Sequence, residues 1–211
     1  MKYLIPVIGL ALFAPALSTP ALAQEKKAPS FKVDPAKVEA VYKDMFKSAK
    51  GEWAKRIVQD ETQKLCSQYR NQLPDKLFEQ VLAKEKASVK FPKDGKVMGD
   101  WRRGEKIAQS GFGGRFSDRP NTINGGNCYA CHQITKKELS YGTLGPSLLG
   151  YGKARDFDPK EARATFAKIY NPQSVMPCSN MPRFGYHGFL SEQQIKDVVA
   201  LLFAKDSPAN Q

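Results

Sequence analysis

The segment Gly126-Asn127-Cys128-Tyr129-Ala130-Cys131-His132 constrains this chain more than any other. Cys-x-x-Cys-His is the attachment sequence of c-type haem. Two thiols one turn apart can each add to one vinyl group of the same porphyrin, and the side chain after the second thiol then faces the iron. His132 would ligate through one imidazole nitrogen and keep the other as a donor that fixes the ring. Paired cysteines also make thioredoxin-like redox centres and halves of zinc sites. Neither needs a histidine directly after the second cysteine. One covalent haem c is therefore the expected cofactor, with Cys128 and Cys131 as attachments and His132 as proximal iron ligand.

The N-terminus bears on where such a haem is attached. Lys2 precedes an apolar run from Leu4 to Leu17, and Ala21-Leu22-Ala23 is a small-x-small cleavage signal. Pro6 and Pro15 interrupt the run, and it is short for a bilayer span, so residues 1–23 read as a cleaved export signal. No later stretch is apolar enough to cross a membrane. The expectation is an exported protein, periplasmic in a bacterium, with no membrane attachment after signal removal. Lys and Arg number 33 against 21 Asp and Glu, a formal charge of +12. In an exported chain such a balance suits an acidic protein partner or anionic substrate better than nucleic acid, or is simply a solvated lysine surface.

Apolar periodicity is helical throughout, and no strand alternation is sustained, so the fold class is mainly α. Asp34-Pro35 opens a helix whose stripe is Val38, Val41, Tyr42, Met45 and Phe46, expected to pack on the main body. Trp53, Ile57, Leu65 and Tyr69 continue or restart it. A further helix begins at Pro74, with Leu77, Phe78, Val81 and Leu82 facing inward. Residues 91–95, Phe-Pro-Lys-Asp-Gly, form a break. This divides the chain into residues 1–23 (signal), 24–94 (helical extension) and 95–211 (haem domain). Within the last, helices are expected over 99–109, from Cys128 to no further than about Lys137, over 159–170, and from Ser191 onward. Ser191 and Gln194 make a capping-box pattern ahead of Ile195, Val198, Val199, Leu202 and Phe203. That last helix should cross the 99–109 helix.

A six-coordinate haem needs a second axial ligand, for which Met176, Met181, Cys178 and His187 are candidates. Met181-Pro182-Arg183-Phe184-Gly185 is preferred: a proline holds the loop extended, and the aromatic and glycine after it suit close approach to a porphyrin. Met176-Pro177 is the main rival and His187 the third. On the proximal side, the Pro146 carbonyl in Leu144-Gly145-Pro146 is the candidate acceptor for the free imidazole N–H of His132. Cys66 and Cys178 remain once the haem has taken its two thiols. In an oxidising compartment they read as a disulfide, with two free thiols as the alternative.

With these residues assembled, the chain resembles class I cytochromes c over about residues 95–205. The resemblance rests on Cys128-Tyr129-Ala130-Cys131-His132, the Leu144-Gly145-Pro146 turn and the Met-Pro loop before a terminal amphipathic helix. More narrowly, residues 125–133 and 170–185 resemble the SoxX family of monohaem subunits, in its longer variants with an N-terminal extension. That resemblance implies a class I cytochrome c fold around one haem and a heterodimer with a SoxA-like haem subunit. It also implies transient contacts with a SoxYZ-like carrier and a small acceptor cytochrome. The complex would be an L-cysteine S-thiosulfotransferase that couples thiosulfate to a carrier cysteine in bacterial sulfur oxidation. This chain would be its electron-accepting subunit and would carry no catalytic residue of its own. The alternatives are a free-standing electron carrier and a gas-binding or peroxidatic haem protein with an open sixth position.

Overall fold

A computed structural model of the chain describes residues 34–49, 51–115, 117–119 and 121–211. The expected export signal and the side chain of Trp53 lie outside the described residues. Among the described residues there are seven α-helices and no strand: α1 Pro35–Met45, α2 Glu52–Arg56, α3 Glu61–Gln68, α4 Asp75–Ala87, α5 Trp101–Gln109, α6 Pro159–Tyr170 and α7 Glu192–Phe203.

Helix α7 is the centre of the core. Its capping box forms, with the Ser191 hydroxyl accepting from the Gln194 amide and the Gln194 side chain accepting from the Ser191 amide. Ile195, Val199 and Leu201 are wholly buried, and Leu202 and Phe203 nearly so. The C-terminal tail closes the other end. Asn210 Nδ2 donates to the carbonyls of Leu202 and Ala204, and the Ser207 hydroxyl donates to that of Leu201, satisfying groups that a helix end leaves without partners.

Helix α5 crosses α7 at unusually close range because Gly104 has no side chain. A Cβ there would lie 2.0 Å from the Asp197 carbonyl oxygen. The same turn of α7 carries a buried carboxylate. Asp197 accepts from Arg103 through Nε (2.8 Å) and Nη2 (2.9 Å), from the Asp100 amide (2.9 Å) and from Gln193 Nε2 (2.8 Å). Burial opposes its ionisation, but these four donors outweigh burial and hold its carboxyl below the ordinary value. Thus one residue of α7 fixes both the start of α5 and its rotation.

Helix α6 begins at an Asp158 cap and buries Ala162, Phe166 and Ile169 on the same core. Phe91, in the break between the helical extension (hereafter the arm) and the rest, stacks on Phe166 with ring centroids 5.8 Å apart, and the Arg163 guanidinium lies over the Phe91 ring, 3.6 Å from its centroid. The arm is therefore tied in where the sequence reads as a divide.

Within the arm, the Asp60 capping box starts α3, and α4 sets Val81 against Cys66 and Leu73 in a second, smaller cluster. The stripe on α1 departs from expectation. Val41, Tyr42, Met45 and Phe46 are all exposed, and no residue of α1 is buried. Tyr42 and Phe46 stack on one another, and the helix meets the edge of α3 instead of the main core. Helical spacing shows that an apolar face exists; it carries no information on what lies opposite.

Gly104→Ala should drive a methyl into the α7 backbone, which side-chain rotation cannot relieve, and cost about 1–3 kcal/mol or more; thermal denaturation of the haem-loaded protein gives the check. Asp197 adds an acid dependence. Its folded pKa lies below the ordinary 3.8, so its contribution is complete above that pH and is lost as the pH falls through the folded value. Guanidinium midpoints measured across this range should fall with acidification, and the fall should be shallower in Asp197→Asn, which starts less stable at neutral pH.

Candidate haem site

The C-terminus of α5 delivers the chain to the Cys-x-x-Cys-His segment through a loop that folds back on itself. The amides of Gly125, Gly126 and Asn127 donate to the carbonyls of Phe112, Ile107 and Ser110. Asn127 then takes a left-handed conformation (φ 46°), tolerated better by asparagine than by most residues, and turns the chain into Cys128. The turn over Cys128–Ala130 is a single 3-10 turn, shorter than the helix expected to run towards Lys137. The carbonyls of Tyr129 and Cys131 accept from the amides of Gly142 and Gly145 (2.8 Å each), so they are committed to the returning loop and not to a further helical turn.

That returning loop builds the proximal wall. The Gly142 position abuts the Ala130 carbonyl, and a Cβ at Gly145 would lie 2.1 Å from His132 Cε1 and 2.4 Å from its Nδ1. Only glycine allows the backbone to lie against the imidazole in this way. His132 Nδ1 is 2.8 Å from the Pro146 carbonyl oxygen. A carbonyl can only accept, so this contact assigns the proton to Nδ1 and leaves the Nε2 lone pair available to a metal. Tyr129, between the two cysteines, is buried with its hydroxyl 3.2 Å from Thr135 Oγ1.

Cys128 and Cys131 are half-buried and unpaired. Burial of its sulfur pushes the Cys128 thiol up to about 12. A thioredoxin-like nucleophile needs the opposite shift. Among the described residues no group of three or more His, Cys, Asp or Glu is arranged to hold a bare metal ion. The residues present fit a haem attached through two thiols, with an oriented imidazole to one side.

The candidate distal ligands separate by burial. Met181 packs against the main core cluster, the cluster that Cys128 also touches. Met176 is 56% exposed and has no part in that packing. His187 is exposed at the loop surface, edge-on to Tyr186. Partial burial and the nearby Arg183 charge lower its pKa. Cys178 is bonded to Cys66 by a disulfide (S–S 2.03 Å), so neither sulfur is free to act as a ligand.

Two groups around the site were not read from sequence. Arg183 is buried and paired with Asp60 and Glu85 of the arm. Asn171, wholly buried, donates to Glu85 and accepts from Arg183. Their only signal was an arginine inside the Met-Pro loop and acids on the arm, which spacing cannot pair.

A mainly helical chain with an oriented histidine beside two thiols defines a c-type cytochrome. Residues 117–203 match the Cytochrome c family, and an uncharacterized lipoprotein of Aquifex aeolicus (strain VF5) is 38% identical over 208 residues, which are 96% of this chain and 98% of the relative. The C-terminal part of the chain is a cytochrome c domain, its cofactor is covalently bound haem c, and such a domain serves electron transfer by a haem protein.

Gly145→Ala tests the proximal wall. The added methyl would push the imidazole off the Pro146 carbonyl, and the protein should then retain less haem and show a shifted midpoint potential in an optical redox titration. Gly150→Ala, where an added Cβ would meet no atom within 4 Å although φ is +62°, should leave haem retention and the midpoint potential unchanged.

Proposed function

We propose that this chain is an exported electron-transfer cytochrome whose iron is held by His132 and Met181, and that it serves as the electron-accepting subunit of a SoxAX-type complex. The observation that carries the ligand set is the contrast between Met181, packed on the same core as Cys128, and Met176, left in solvent. Cys128 and Cys131 are the thioether attachments, and Pro146 is the acceptor that holds the imidazole. Haem c supplies a one-electron couple, and a methionine sulfur opposite histidine raises its potential. The chain's own contribution is orientation on the proximal side and exclusion of water by Phe184, Leu190 and Met181 on the other.

Support for the narrower role comes from the resemblance of residues 125–133 and 170–185 to SoxX and from the arm. An arm with an exposed apolar face on α1 suits a subunit with a neighbour better than a diffusing carrier. The partners are then a SoxA-like haem subunit, with a SoxYZ-like carrier and a small cytochrome met transiently, and the working complex is a cysteine S-thiosulfotransferase. Localisation follows from the export signal read at residues 1–23. The relative's name includes lipoprotein; in this sequence the first cysteine is Cys66, bonded to Cys178. No helix of the described residues is long and apolar enough to cross a membrane.

Met181→Ala should abolish the near-infrared methionine-to-iron band of the ferric protein and open the reduced iron to carbon monoxide, while Met176→Ala should leave both unchanged; the reverse pattern transfers the ligand role to Met176. Native purification tests the complex: a second haem chain should co-elute, and thiosulfate together with a carrier protein bearing a free cysteine thiol should reduce the haem. A single chain at monomer size, not reduced by thiosulfate even with the carrier thiol present, would leave a free-standing carrier.

A further inference from the structure

Met181 is held from both sides by the arm. Three residues before it, Cys178 is bonded to Cys66 in α3 across a sequence separation of 112. Cys178 has φ 62°, a left-handed conformation that a non-glycine residue keeps only where its surroundings impose it. Two residues after Met181, Arg183 turns into the protein and reaches the same arm. Its Nη2 donates to Glu85 of α4 at 2.7 Å, its Nη1 pairs with Asp60 at the cap of α3, and its Nε donates to Asn171 Oδ1 at 3.2 Å. Its guanidinium plane lies 3.6 Å from the Tyr186 ring centroid.

The acceptors are themselves fixed. Glu85 is 2% exposed, and its other oxygen accepts from the Thr62 hydroxyl at 2.5 Å. Asn171 Nδ2 donates to Glu85 (2.7 Å) and to Ser88 Oγ (2.8 Å). Burying Glu85 and Arg183, with Asp60 half-buried beside them, costs desolvation that a well-packed apolar cluster avoids, so stability alone is a poor reason for such a group. Its distinctive property is geometric: a planar fork with five donors meets three acceptors in one orientation only. The bridge at Cys178 pins one end of the segment carrying Met181 and leaves the other end free to swing. Arg183 removes that freedom.

We propose that Arg183 is a positioning residue for the distal iron ligand, so that the arm, through Asp60, Glu85 and the bridge to Cys66, sets how firmly Met181 is held on the iron. This rests on Met181 being that ligand. The arm then belongs to the haem site as well as to any interface.

The test uses the full exported, haem-loaded protein. Arg183→Lys keeps the charge and removes the fork. It should raise carbon monoxide binding to the reduced iron roughly tenfold, the scale of one buried charge-assisted hydrogen bond. It should also weaken the near-infrared methionine band and lower the midpoint potential, with helical circular dichroism and the free-thiol count as in the parent. Parental band, carbon monoxide rate and potential in Arg183→Lys overturn the proposal. Should that variant fail to load haem, Asp60→Asn, at the solvent-facing side of the cluster, replaces it: a smaller shift in the same direction supports the proposal and no shift overturns it. Met181→Ala separates the two ideas. If it keeps the band, the ligand assignment fails and the positioning role with it; if it loses the band while the Arg183 and Asp60 variants behave as the parent, only the positioning role fails.

Discussion

The crossing of α5 and α7 is the constraint on which the site depends. A haem bound through Cys128 and Cys131 needs a wall on each face, and the two walls come from distant parts of the sequence. Helix α5 ends in the loop that leads to Cys128, while α7 begins just after the loop that carries Met181. The contact between Gly104 and the Asp197 carbonyl, with the Asp197 carboxylate held by Arg103, Gln193 and the Asp100 amide, sets the angle and depth of the crossing. It thereby sets the separation of the two walls before either is built. A buried carboxylate with four donors is a stiff joint, because rotating either helix would leave a charge without partners in a dry environment.

Each wall is then built with a different economy. The proximal wall uses glycines and backbone: Gly142 and Gly145 let a loop lie against Ala130 and His132, and a main-chain carbonyl orients the imidazole. Such an arrangement has few side-chain freedoms and holds one geometry. The distal wall uses side chains from far away, a disulfide and an arginine that recruit the N-terminal arm. In the proposed ligand set Met181 offers a weak thioether ligand on a flexible side chain, so the loop that presents it needs outside support, whereas the histidine is held by its own neighbours.

The parts legible in the sequence were those with local rules. Cys-x-x-Cys-His names a cofactor by spacing, Ser191 with Gln194 marks a helix start, and the stripe from Ile195 to Phe203 marks a buried face. The two cysteines left after haem attachment could be paired by elimination because only one pairing existed. What escaped was set by tertiary contacts. Asp197 interrupts an apolar stripe, and nothing within α7 shows that Arg103 meets it. Arg183 stands in the Met-Pro loop with no partner in view, because the acids that justify its burial, Glu85 and Asp60, lie 98 and 123 residues earlier on the arm. Helix α1 has the periodicity of a packed helix, yet its apolar face is exposed. The turn at Cys128 stops early because the returning loop takes its carbonyls, a competition visible only once that loop is placed.

The proposed haem is a closed, six-coordinate one-electron centre with histidine on one side and methionine on the other. An optical redox titration of the purified exported protein under carbon monoxide tests it most directly. A closed centre should give one reversible one-electron wave at a positive potential, the same with and without the gas. A wave that shifts upward under carbon monoxide, or one lying well below the range of methionine-ligated cytochromes, would contradict it.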